Sequence, residues 1–179
     1  MAVVEIRVYP DPILQVKAAV VENIDERIAR LASDMAETMY TAPGVGLAAP
    51  QVGVSERLIV LDVKNSQGGK DLITLVNPQI VEFGDRIVEE EGCLSVPGIR
   101  EQVARAGRVV VRGYDLKERE QRIEAEGLLA VAFQHEIDHL DGILFIDRVS
   151  RLKRGIIQRK VRKLIREGQA SEKNGSRLF

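Results

Sequence analysis

The residues of this chain best suited to chemistry are two histidines four apart in His135-Glu-Ile-Asp-His139, and the sequence holds no others. On a helix, positions i and i+4 project from one face, so both imidazoles can reach a single metal ion. Glu136 lies beside that face, where a carboxylate can take a proton from the attacking water. The competing picture is a surface helix with two solvated imidazoles. It fits poorly, because the preceding Leu128-Leu-Ala-Val-Ala-Phe133 is too apolar for an exposed helix.

A hydrolytic metal site wants three protein ligands and one open position. The first glutamate after His139 is Glu167, inside a basic segment, and there is no third histidine. That argues against the thermolysin and metzincin patterns and turns attention upstream. The one cysteine, Cys93, sits in Glu91-Gly-Cys-Leu-Ser-Val-Pro-Gly98, a loop or a sharply bent strand. A thiolate with two imidazoles suits a divalent transition metal. The bland alternative is an inert buried cysteine. A single cysteine makes no internal disulfide, which favours a reducing compartment.

Gly44-Val-Gly-Leu-Ala-Ala49 fits the dinucleotide-binding pattern, and Asp62 imitates its ribose-binding acid. The context fails, because Pro43 precedes the loop while Pro50 and Gly53 would break any helix after it. Two readings remain: a structural turn, or a backbone that must approach something closely and that ends in the polar Gln51.

Periodicity gives the elements that would position these groups. Residues 3–9 read as a short strand or an extended lead-in, and Pro10 and Pro12 then forbid regular structure. Asn23 or Asp25 can cap a helix to about Tyr40, with Ile28, Leu31, Met35 and Met39 on one face. Short β-rich runs follow at 57–63, 72–76, 86–90, 101–104, 108–114 and 121–126, with a turn at 65–69. A helical period returns from Gly127 to Leu140, and a last helix is expected over 149–167, with a frayed end over 171–179. Strands grouped between helices predict an α+β fold rather than alternating α/β. With 179 residues, 45 % of them apolar and 30 % charged, one soluble domain over 1–167 is expected, followed by a disordered tail at 168–179. No apolar run approaches the roughly 18 residues of a membrane span, and the start lacks the order of a secretory signal.

Gly44-Val-Gly-Leu-Ala-Ala-Pro-Gln51, Glu91-Gly-Cys-Leu-Ser95 and His135-Glu-Ile-Asp-His139 occur in this order. Together they resemble the three-motif signature of peptide deformylase, and the resemblance extends over residues 3–165. It implies antiparallel sheets around a central helix carrying the histidine pair, followed by a C-terminal helix. It implies release of formate from the N-formylmethionine of new polypeptides, in the bacterial cytoplasm, by a monomer. By the same carry-over, Cys93, His135 and His139 bind the metal, expected to be Fe²⁺ with zinc, nickel or cobalt as substitutes. Glu136 would be the general base and then acid, while Gln51 and the backbone N–H of Leu94 would hold the developing oxyanion. Val45 and Gly46 would form one wall of the substrate site, with Gly92 beside the ligand cysteine.

Spacing adds part of the pocket. Leu128, Val131 and Ala132 share a helical stripe with both histidines, so they could receive a methionine side chain, although core packing is the plain alternative. Arg100 either contacts substrate or pairs with Glu91, and Asp138 either supports the site or is simply solvated.

Charge is unevenly spread. Residues 148–179 hold 11 Lys/Arg against 2 Glu, and residues 1–147 hold 15 against 25 Asp/Glu. An acidic body with a basic tail hints at a polyanionic partner. Val149, Leu152, Ile156, Val161, Leu164 and Ile165 recur at near-helical spacing, which predicts a docked stripe. Arg151, Lys153, Arg154, Arg159, Lys160, Arg162, Lys163 and Arg166 would face outward, toward ribosomal RNA near the peptide exit. The rival function is an RNA-binding protein of the ribosome with a relic metal site.

Overall fold

The computed structural model describes residues 2–42, 44–63 and 71–173, with 169–173 as backbone alone. The turn expected at 65–69 and the last six residues of the expected tail lie outside the described residues. Helix α1 spans Glu26–Thr41 and starts where the Asp25 carboxylate accepts from the Ile28 N–H at 3.0 Å. Strands β1 (Gly46–Ala48), β2 (Leu58–Leu61), β3 (Ile73–Phe83), β6 (Arg108–Tyr114) and β7 (Glu120–Glu126) form an antiparallel sheet in the order β1-β2-β3-β6-β7. Strands β4 (Arg86–Cys93) and β5 (Val96–Ala106) make a separate two-stranded sheet. Helix α2 spans Gly127–Leu140 and α3 spans Arg151–Lys173. The fold is α+β, as the grouping of strands predicts.

Both faces of the five-stranded sheet are covered, which is why β2 reads as the unbroken apolar run Leu58-Ile-Val-Leu61. Leu58 and Val60 point to Ile28, Met35 and Met39 of α1. Ile59 and Leu61 point the other way, into a core with Phe133, Ile137 and Leu140 of α2. A further cluster joins Val96, Ile99 and Val103 of β5 to Phe145, Ile157 and Val161. Helix α2 therefore runs between the large sheet and the β4–β5 hairpin. Among the described residues, no helix is long and apolar enough to cross a membrane.

Several boundaries differ from the sequence reading, each for a physical reason. Strand β3 passes straight through Asn77-Pro78, where the pairing slips by a bulge and Asn77 takes φ +52°. The Asn77 side chain compensates by bonding both the N–H and the carbonyl of Val21 at 2.9 Å. Residues 3–9 are extended without being a strand, and α3 starts at Arg151 rather than 149. Its backbone stays helical through Lys173. The docked stripe of α3 is also narrower than expected. Ile157 and Val161 are buried with Ile165 partly so, whereas Leu152, Ile156 and Leu164 are exposed.

Gly142 closes α2 at φ +72°, and a Cβ there would lie 2.8 Å from the backbone of Gln15. Gly142→Ala should cost about 1–3 kcal/mol of stability through backbone strain alone. Gly155→Ala in α3, where a Cβ meets nothing within 4 Å, should instead stabilise by up to about 1 kcal/mol. Urea midpoints of the two variants against the parent check the contrast.

Candidate metal centre

Helix α2 carries a mixed cargo: Phe133 and Leu140 are fully buried, and so nearly are Glu136, Asp138 and His139. The β4–β5 turn presses Cys93 against this helix. Cys93 Sγ lies 3.2 Å from His139 Nε2, and the candidate ligand atoms of Cys93, His135 and His139 all lie within 4.8 Å of one another. Three ligands at ~2.0–2.3 Å from one ion would sit roughly 3–4 Å apart, so the cluster could hold a metal ion. The sulfur also receives the Ser95 N–H at 3.4 Å and the Gln51 amide nitrogen at 3.6 Å.

The outer shell fixes the imidazoles. His135 Nδ1 is 2.8 Å from Glu91 Oε2, so Nδ1–H donates and the lone pair of Nε2 is left for an ion. The Phe145 ring stacks against the same imidazole, with centroids 6.2 Å apart. Arg105 grips both oxygens of Glu91, at 2.6 and 3.0 Å, and donates to Asp138 at 2.6 Å. Arg148 then holds Asp138 from the surface side. Burial alone would push the Glu91 carboxyl up, but hydrogen bonds from His135 and Arg105 outweigh it and hold the group at about 2. Burial likewise drives His139 well below the usual imidazole range, with the charges of His135 and Arg105 adding to it, which keeps it neutral as a ligand must be. For His135 burial loses to hydrogen bonds with Cys93 and Glu91, so it sits well above that range.

Glu136 differs from every other carboxylate nearby. Burial pushes it up to about 7, against the pull of the His135 charge. Its Oε2 is buried with no hydrogen-bond partner. An unpartnered carboxylate is costly inside a protein, so this atom marks where a donor belongs in the working site. Gly46 makes the arrangement possible, since a Cβ there would collide with that carboxylate and with Leu61. The glycine loop is thus both a turn and a close approach. It forms edge strand β1 and then a 3-10 turn over Ala49–Val52, which places Gln51. Gln51 Oε1 accepts from the Ala48 N–H at 2.8 Å, so its amide nitrogen must face Ser95 and Cys93. Asp62 has no nucleotide role here; the Tyr40 hydroxyl donates to it at 2.7 Å.

The cluster opens into a cavity of about 850 Å³. Val45, Gly46 and Gln51 line one side, and Gly92, Leu94 and Arg100 line another. Leu128, Val131 and Ala132 complete it, and Leu128 is 51 % exposed at the rim rather than packed in the core. Every residue expected at the site from the sequence is therefore brought to it. The pairing expected of Arg100 changes partner, and the setting of Asp138 is now fixed. Arg100 pairs with Glu90 at 3.4 Å, because Glu91 is already taken by Arg105 and His135. Asp138 is buried and paired, not solvated. The sequence reading missed Arg105, Phe145 and Ser95. Arg105 had a usable signal: it shares an inward strand face with Val103, and an arginine there demands carboxylate partners.

A family model described as polypeptide deformylase matches residues 3–155. The chain belongs to the polypeptide deformylase family. The peptide deformylase of Syntrophobacter fumaroxidans is 55 % identical over 170 residues, covering 95 % of this chain and all of that one. A peptide deformylase crystal structure from Legionella pneumophila superposes with TM-score 0.88 at 46 % identity, covering 94 % of this chain and 98 % of the other. The Ehrlichia chaffeensis deformylase, solved in complex with actinonin, gives TM-score 0.86 at 39 % identity, with 91 % and 98 % covered. The chain is a hydrolase that removes the N-formyl group from newly made peptides, and the RNA-binding alternative with a relic site finds no support.

Replacing Glu91 by Gln removes the charge that orients His135 while leaving an amide to meet Arg105. Metal affinity should fall by about 10–100-fold. Competition with a chromogenic chelator measures it, and an unchanged affinity would remove Glu91 from the ligand-orienting set.

Proposed function

We propose that Cys93, His135 and His139 hold one divalent ion, Fe²⁺ in the cell with zinc, nickel or cobalt able to substitute, and that Glu136 moves the protons of formyl-amide hydrolysis. The observation that carries this reading is the buried, unpartnered Glu136 carboxylate beside three converging ligand atoms. Bound there, an ion would supply a water acidic enough to ionise near neutral pH and a Lewis acid for the formyl oxygen. Glu136 is suited to take the proton of the attacking water and return it to the departing amine, because burial lifts its affinity for a proton toward neutrality. The Gln51 amide and the Leu94 N–H would donate to the oxygen on which charge gathers. Leu128, Val131 and Ala132 would receive the methionine side chain, with Val45, Gly46, Gly92 and Arg100 along the peptide. The working unit would be a monomer, with its single domain over residues 1–167. Formylated substrates and a lone thiolate support the bacterial cytoplasm.

Glu136→Ala should keep the metal and lose nearly all turnover of formyl-Met peptides. Elemental analysis of anaerobically purified protein, run beside steady-state kinetics, reads both the ion and the rate. Near-parental turnover would refute the assignment. Gln51→Leu should lower kcat by about 10²–10³-fold with the metal retained.

The same reading extends to ribosome docking through α3, with a revised surface. Lys153 is paired with Glu101 and Arg154 with Asp147, so they are partly neutralised. Arg159, Arg162 and Arg166 are exposed on the side away from the buried Ile157 and Val161. Changing these three arginines to Glu should abolish co-sedimentation with ribosomes at low salt while leaving turnover of short peptides intact. Parental binding should weaken steeply as salt rises.

A further inference from the structure

One exposed basic residue of α3 borders the active-site cavity. Lys160 lines the active-site cavity together with Gly98 and Arg100 of β5. Its neighbour one turn on, Leu164, points its Cδ1 to within 3.5 Å of where a Gly98 Cβ would be. This places the middle of α3 along the rim of the cleft, not only on the outer surface.

The hairpin sets this rim beside Cys93. Cys93 pairs with Val96 and Gly92 pairs with Arg100, so Pro97, Gly98 and Ile99 bulge out between two pairs that flank the ligand cysteine. Lys160 shares the cavity wall with Pro97, Gly98 and Ile99. An extended peptide advances ~3.3–3.4 Å per residue, so a chain anchored by its formyl group spans roughly 10 Å by its third residue and can lie along that wall.

The charges at the rim do not cancel. Arg100 is matched by Glu90 at 3.4 Å, with both groups exposed. Glu101, farther along β5, is taken by Lys153 at 2.7 Å. Glu91 is buried against Arg105. Lys160 has no carboxylate partner among the described residues and stands as the uncompensated cation of the cleft mouth.

We infer that Lys160 is a specificity-determining residue that favours nascent peptides with an acidic side chain at the third position. The inference rests on the deformylase reading and adds to it a preference within the substrate class. Formyl-Met-Ala-Xaa-Ala amides with Xaa as Glu, Gln or Lys isolate the effect, since amidation removes the terminal carboxylate. The parent enzyme should favour Glu over Gln by about two- to fivefold in kcat/KM at low salt, the size of one exposed ion pair, and disfavour Lys. The difference should lie in KM, because the contact is the same before and during reaction. High salt should erase it. Lys160→Gln should flatten the series and Lys160→Glu should invert it, while turnover of the Gln peptide stays at the parental level. Lys163→Glu is the control, with the same charge change on the same helix outside the cavity lining. Equal rates for all three peptides with the parent, or an equal inversion by Lys163→Glu, would overturn the inference. Failure to process any of the peptides would instead sink the deformylase reading on which it stands.

Discussion

A guanidinium buried between two carboxylates is the interaction on which the rest of this structure depends. The Arg105 side chain is 3 % exposed, with Glu91 and Asp138 at 4 % and 10 %. Taking such charges out of water costs several kcal/mol per ion, so the set survives only because its members satisfy one another. Arg148 reaches in from the surface and brings two cations to two anions. Breaking such a set by removing one member typically costs about 3–5 kcal/mol, whereas the intact set is close to neutral for stability. Its value is therefore positional. It ties β5 to both β4 and α2, and β4 carries the cysteine while α2 carries both histidines of the candidate metal cluster. A one-residue slip of the hairpin would turn Glu91 and Arg105 to the wrong face, so the cluster also fixes strand register.

The legibility of the sequence follows the range of the interactions. His135, Glu136 and His139 were readable because one helical period puts them together. Cys93 was readable by rarity and by the shortage of other ligands. The capped helix at Asp25 and the β-rich runs were set by local signals. The strand face signals that Arg105 is buried, but its partner Asp138 lies 33 residues on, and Phe145 meets His135 from another element, so neither contact was readable. The same holds for α3. Its apolar residues could be counted from periodicity, but only the position of β5 decides that Ile157 and Val161 are covered while Leu152 stays out. Asn77-Pro78 misled the reading for the opposite reason: a true local break signal was overridden by pairing on both sides of a bulge.

The proposed ligand set divides labour between a rigid and a constrained element. Two ligands come from consecutive turns of a buried helix, so their separation is fixed by backbone geometry. The third comes from a tight turn, which would be the loose part of the site if nothing held it. The extended N-terminal segment supplies that restraint. The Tyr9 N–H donates to the Ser95 carbonyl at 2.8 Å, and the Arg7 N–H donates to the Gln51 carbonyl at 2.7 Å. A stretch with no side chain in the site cavity thereby locks the two turns that present Cys93 and Gln51. Sites need groups held to within about 0.5 Å, and here the restraint is main-chain and so indifferent to side-chain identity. That explains why residues 3–9 carry no motif of their own and yet lie inside the stretch the family shares.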